Sequence, residues 1–223
     1  ISLWKRRYLD EISYVSQKIR VFLEFLEDKN LLDSALILVV GDHGQLLGEY
    51  GKIGHGVFLY DELLRVPLLI KYPKQVDVEI TDFSVKEKAH HYISLTKIKS
   101  LLQRLINNDL ISDDFLYSTT VFAESHGTFK NEYSILKNIN NLKLRKKVMS
   151  IINELDKHRI AVYHRGFKAI FNVNDNKLES VKSYTGKKAD EEICKDLIKR
   201  ALNLAKIRNK IANIHEKLSI SKD

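Results

Sequence analysis

The chain has 223 residues, 44% of them hydrophobic and 30% charged, with a formal net charge of +8. That composition can bury a core and excludes a disordered chain. No apolar run approaches the ~20 residues that cross a bilayer, so no membrane segment is encoded. The single cysteine, Cys194, excludes an internal disulfide or a cysteine-cluster zinc site and favours a reducing compartment.

Charge is unevenly placed. Residues 1–112 are neutral, and the whole basic excess lies in residues 113–223. There the lysines alternate with acids along helix-like sequence and few aromatics are interleaved. That is the pattern of a solvated helix face and not of a clustered phosphate-binding surface, so no nucleic-acid partner is expected.

In chain order, Ile1 is followed at once by helical periodicity, which leads us to expect a C-terminal portion of a longer protein, with the N-terminal portion of that protein as partner. Tyr8, Ile12, Val15, Ile19, Phe22 and Leu26 recur at spacings of four and three, a helix over residues 4–28. "ALILVV", 35–40, is apolar on both pleat faces, and "VPLLIKYP", 66–73, repeats that character with Pro67 at its start. These two are expected as neighbours in a mainly parallel sheet. "HHYISL", the helix-like "TKIKSLLQRLIN" and the strand "TTVFAES" follow.

After Gly127 the texture changes. Residues 131–157 read as helix, and "RIAVYHR", "FKAIFNV" and "KLESVKSY" read as an antiparallel meander turning at Gly166. Ile193, Leu197, Ala201, Leu204, Ile207, Ile211, Ile214 and Leu218 form one stripe of a long helix over about 187–218. The expected fold class is α/β, a mainly parallel sheet flanked by helices over residues 1–127, followed by a small antiparallel α+β subdomain and a long C-terminal helix over 128–223.

The most uneven stretch is "LILVVGDHGQLLGEYGKIGHG". An apolar strand stops at Asp42 and His43, and glycines crowd the loop from Gly41 to Gly56. Residues at the carboxyl end of a parallel strand face a ligand crevice, and a carboxylate next to a neutral imidazole suits a divalent cation. The alternative is that Asp42 caps a turn and His43 is a polar loop residue. Lys52 and His55, each beside glycine in "GKIGHG", could hold an oxyanion near such an ion, or could face solvent in a mobile loop.

Residues 8–73 resemble the central region of the sulfatase family in the alkaline phosphatase superfamily. There a helix precedes a strand ending in Ser/Gly-Asp-His/Asn-Gly, then Leu-Gly-Glu, an anion-binding Lys or His, and Arg-Val-Pro before the next strand. "RIAVYHRGFKAIFNVNDNKLESV" resembles the family's small C-terminal sheet, while Thr96 and Lys99 depart from its Asp-x-x-Pro-Thr segment. The resemblance implies an alkaline-phosphatase-like fold and makes Asp42 and His43 ligands of a divalent metal ion, calcium first, with manganese or zinc as alternatives. It makes His55 or Lys52 the substrate-binding contact.

The resemblance also implies a nucleophile from Cys/Ser-x-Pro-x-Arg, or a lone Ser/Thr, beside paired aspartates. No such motif occurs here, since the two prolines are Pro67 and Pro73 and Cys194 sits in a charged helix. The implied activity is a metal-dependent hydrolase of sulfuric esters in which this chain supplies the metal-ligand and anion-binding loop but not the nucleophile, so the fragment alone is expected to be inactive. The substrate partner is a sulfate or phosphate ester. A phosphate or phosphonate ester hydrolase or transferase, or a non-catalytic polyanion-binding homologue, are the alternatives. His90, His91, Glu124, Ser125, His126, His158, His164 and His215 are read as structural or surface residues.

Overall fold

The structure, a computed structural model, describes residues 2–220 apart from 85–86, 88–89 and 129. It divides into two units, Ile1–Thr81 with Ile98–Asp114, and Asp82–Lys97 with Phe115–Asp223.

The first unit opens with helix α1, Ser2–Asp28. It stops where Asn30 turns left-handed at φ 55 and Leu31 N–H reaches back to Leu26 O at 2.8 Å, with Asn30 N–H on Glu27 O. This closing motif needs a residue that tolerates the left-handed region, and asparagine does. The carbonyls that follow are gathered by one cation: the Lys71 ammonium bonds Leu32 O, Asp33 O and Ala35 O.

Strand β1, Ile37–Val40, lies beside the strand Leu68–Lys71, and the pairing is antiparallel, Ile37 opposite Lys71 and Val40 opposite Leu68. The two are neighbours as expected, but the parallel sheet is corrected. Among the described residues every strand ladder is antiparallel, and only an isolated bridge between Glu79 and Ser112 is parallel. The reason lies in the connection. A parallel return needs a crossover along the strands, usually a helix. Here the chain spends that length on a hairpin of β2, Leu46–Leu47, and β3, Ile53–Gly54, and on one helical turn, α2, Asp61–Leu64, then re-enters as β4 at the edge where β1 ended. Nor are β1 and β4 buried on both faces: Val40 and Leu69 are exposed. Helix α3, Lys97–Ile106, buries Leu101.

The second unit pairs β5, Tyr92–Ile93, with β6, Tyr117–Ser118, and builds a four-stranded antiparallel sheet in the order β10–β9–β8–β7. Its strands are β7 Thr120–Ser125, β8 Arg159–His164, β9 Phe167–Asn172 and β10 Lys177–Ser183. The β8–β9 hairpin turns on Arg165 and Gly166, both at positive φ, a two-residue turn that matches strand twist. The expected helix over 131–157 is split: a 3-10 segment, Lys130–Asn138, yields to α4, Leu142–Leu155, whose Asn141 side chain accepts from Leu144 N–H at 3.0 Å. Asparagine is a better cap than a helix interior residue, so "NINN" breaks the run. Helix α5, Glu191–Ile220, starts where Asp190 accepts from Ile193 N–H. Its Leu197, Ala201 and Ala205 pack on Ile160, Val162, Phe167, Ala169 and Phe171, a continuous core. Ile214 and Leu218, the end of the expected stripe, and His215 have side chains outside the described residues.

Candidate functional site

Asp42 and His43 follow the carboxyl end of β1, and the backbone around them is pinned on both sides. Gly41 N–H donates to Pro67 O at 3.1 Å and Gly44 N–H to Leu63 O at 2.9 Å. Gly44 is required by contact and not by flexibility: a Cβ there would lie 1.8 Å from the Glu62 carbonyl oxygen. The segment from α2 to Pro67 is therefore a cradle for the Gly-Asp-His-Gly turn, which explains why the apolar strand ends in two glycines around two polar residues.

The side chains that the turn presents are open to solvent, Asp42 90% and His43 47% exposed. Asp42 Oδ1 accepts from His43 N–H at 2.8 Å, and Asp42 Oδ2 lies 3.8 Å from His43 Nε2. His43 Nδ1 is 2.8 Å from Gly44 O, an acceptor only, so Nδ1 carries the proton and Nε2 presents its lone pair on the carboxylate side. A carboxylate oxygen and a bare imidazole nitrogen at that separation fit two positions on one divalent ion.

His55 stacks against His43, ring centroids 4.3 Å apart, with Nδ1 3.2 Å from Gln45 Oε1. The other candidate, Lys52, is held differently, its ammonium 5.1 Å from the Phe58 ring centroid. Glu49 holds the hairpin between them: its carboxylate accepts from Leu47 N–H at 2.6 Å and pairs with Lys5 at 3.4 Å. The hydrogen bond from Leu47 N–H, then its own N–H and Lys5, keep the Glu49 carboxyl below its ordinary range. Gly48, at φ 121, gives this turn its reversal.

A profile of the family described as Sulfatase matches residues 5–107. The sulfatase family is thus what residues 5–107, a little under half of the chain, are similar to. The chain is 34% identical over 82 residues to an N-acetylglucosamine-6-O-sulfatase of Bacteroides thetaiotaomicron, covering 37% of this chain and 14% of that protein. It is 36% identical over 69 residues to a choline-sulfatase of Rhizobium meliloti, 31% of this chain and 13% of the relative. An ulvan-active sulfatase of Formosa agariphila is 29% identical over 80 residues, 36% and 12%. The matched part of the chain thus spans only about one-eighth to one-seventh of the length of these sulfatases. No helix among the described residues is long and apolar enough to cross a membrane.

Outside the sulfatase segment the second unit brings together three residues that the sequence reading left without chemistry. Glu124, His126 and His158 each offer a ligand atom, all within 4.8 Å of one another. The alternation Glu-Ser-His places the first two on one strand face, but His158 joins them only through the β7–β8 register, which sequence does not state. His164 is buried on the same sheet. Its Nδ1 lies 2.6 Å from Thr120 Oγ1 and 3.1 Å from Thr119 O, and its Nε2 is 3.4 Å from Asp196 Oδ2. Burial first, then the Arg200 charge, push its pKa below the ordinary 6.5 against the pull of Thr119 and Asp196.

Proposed function

We infer that this chain supplies the metal-ligand and anion-binding loop of a metal-dependent sulfuric-ester hydrolase. The observation that carries the reading is the pair Asp42 Oδ2 and His43 Nε2, 3.8 Å apart at the end of β1, inside the segment that matches sulfatases. A divalent ion bound there would stabilise charge on the transferred sulfuryl group. Calcium is the ion the family resemblance implies. The imidazole nitrogen of His43 suits manganese or zinc better, since calcium takes oxygen ligands.

The chain's own residues do the rest of this part of the work. The Gly44 carbonyl fixes the His43 tautomer, and the Leu63 and Pro67 carbonyls hold the turn that carries it. His55 is the anion contact. With Nδ1 donating to Gln45 Oε1, His55 Nε2 donates to an oxyanion only as imidazolium, so its contact brings positive charge as well as a hydrogen bond. Lys52 over Phe58 adds longer-range positive field. The nucleophile comes from elsewhere in the complete protein, and the substrate is a sulfate ester. The names of the three relatives differ in their organic part, N-acetylglucosamine, choline and ulvan, and have sulfatase in common.

Single substitutions in the complete protein separate the roles. His43→Ala should lower metal affinity and be partly rescued by excess metal. His55→Ala should keep the metal and lose turnover by roughly 2.7 to 4 kcal/mol of transition-state stabilisation, as for a lost oxyanion donor, without rescue. A His43→Ala protein that binds the cation as tightly as the parent would remove the metal assignment. Nearly full turnover in His55→Ala with a large loss in Lys52→Ala would transfer the anion role to Lys52.

A further inference from the structure

Glu124 and His126 stand two residues apart and leave β7 on one face. The β7–β8 ladder pairs Ser125 with Arg159, and one step beyond it sets His126 opposite His158. The result is a close cluster. His158 Nε2 lies 2.8 Å from Glu124 Oε1, His126 Nε2 lies 3.7 Å from Glu124 Oε2, and the two imidazoles stack with centroids 4.6 Å apart. Glu124 is 11% exposed, His158 19% and His126 70%. Arg208 of α5 completes the surroundings, its Nε 3.0 Å from Glu124 Oε2. A groove of about 320 Å³ between Thr96, Phe122, Leu204 and Arg208 opens beside Glu124.

We propose that Glu124, His126 and His158 form a second metal site, taking one divalent transition ion of the zinc class. Two imidazoles and a carboxylate are donors that zinc accepts in tetrahedral geometry with one position left for water, whereas calcium and magnesium require oxygen. Donors about 2.0–2.2 Å from a tetrahedral ion stand roughly 3.3–3.5 Å apart, so only small movements are needed. His158 Nε2 and Glu124 Oε1 separate slightly, and the exposed His126 swings inward. In the bound form the His158 ring carries its single proton on Nδ1, so the hydrogen bond from Nε2 to Glu124 is given up and the Nε2 lone pair takes the ion. Glu124 binds through Oε1 while Oε2 keeps Arg208. The ion ties the end of β7 to the start of β8 and closes the long connection between them.

Arg208 gives the proposal a signature that an ionic clasp alone lacks. Its guanidinium is a like charge beside the ion, so removing it should tighten metal binding even though an ion pair is lost. The test is calorimetric titration of Zn²⁺, with Co²⁺ absorption for geometry, on a chain in which Asp42→Ala and His43→Ala silence the first loop. That background keeps the outcome independent of the sulfatase reading. One Zn²⁺ per chain is expected, weakened at least about tenfold by His126→Ala, whose side chain is mostly in solvent, and tightened severalfold by Arg208→Gln. Tetrahedral Co²⁺ bands should appear in the parent and vanish in His126→Ala, and Ca²⁺ should not compete. Absence of saturable Zn²⁺ binding, an affinity unchanged by His126→Ala, or weaker binding in Arg208→Gln would each overturn the site.

Discussion

In the second unit Ile160, Val162, Phe171 and Leu197 are 1% exposed or less, whereas in the first unit Trp4, Leu9, Val15, Phe22 and Phe25 of one helix are at least half exposed. The difference lies in what each element packs against. The meander folds under its own helix, so α5 finds β8 and β9 within the same unit. Helix α1 keeps most of its apolar stripe in solvent, and β1 with β4 makes only a two-stranded ladder, an arrangement that is marginal without a layer over it. On the proposed reading the remainder of a sulfatase α/β layer covers both, and the loop bearing Asp42 and His43 rests on that layer.

Substitutions can break this comparison, and the largest effect belongs to the second unit. Phe171→Ala should cost about 3–5 kcal/mol in a urea titration followed by far-UV circular dichroism, because a fully buried ring leaves a cavity. An effect below about 1 kcal/mol would mean that this core is not closed. Gly44→Ala comes next. Its methyl group meets the Glu62 carbonyl, so the turn must shift at a cost of about 1–3 kcal/mol, read as early proteolysis of the glycine-rich loop. Asn141→Ala, removing the cap of α4, should cost about 1 kcal/mol of second-unit stability by the same titration.

Acid sharpens the contrast further. His164 is held neutral by burial below its ordinary pKa of 6.5, so the unfolded chain takes up that proton first. Its contribution is therefore present above 6.5 and is lost as pH falls below that value, and a His164→Gln second unit should show a flatter urea midpoint across that range. The smallest effect belongs to the first unit: Phe22→Ala should change stability by less than about 0.5 kcal/mol. Trp4, the single tryptophan, lies on α1, so its fluorescence reports that helix alone, and its transition should not coincide with the circular dichroism of the meander.

Much of this was legible in the sequence where the signal is local. The periodicity of α1, the meander turning at Gly166 and the stripe Ile193, Leu197, Ala201 and Leu204 follow from side-chain spacing. The Asp42–His43 pair and the neighbouring His55 were visible because strand, glycines and polar residues occur together. What failed is what depends on long-range pairing. "ALILVV" does not reveal that its neighbour runs antiparallel, since direction is set by where the intervening hairpin and α2 deliver the chain. The role of Gly44 was hidden for the same reason, because the Glu62 carbonyl that demands it is distant in sequence. Glu124 and His158 are separated by the whole of α4, and only a register brings them together.

The most direct test of the account is sulfate release from an aryl sulfate by the complete protein carrying these residues, measured after metal removal and again with added calcium, manganese or zinc, beside the same assay with an aryl phosphate. The account predicts turnover of the sulfate ester that depends on the added ion and falls at least about a thousandfold in Asp42→Ala, a loss of roughly 4 kcal/mol. Turnover that survives metal removal or the loss of Asp42, or hydrolysis confined to the phosphate ester, would contradict it.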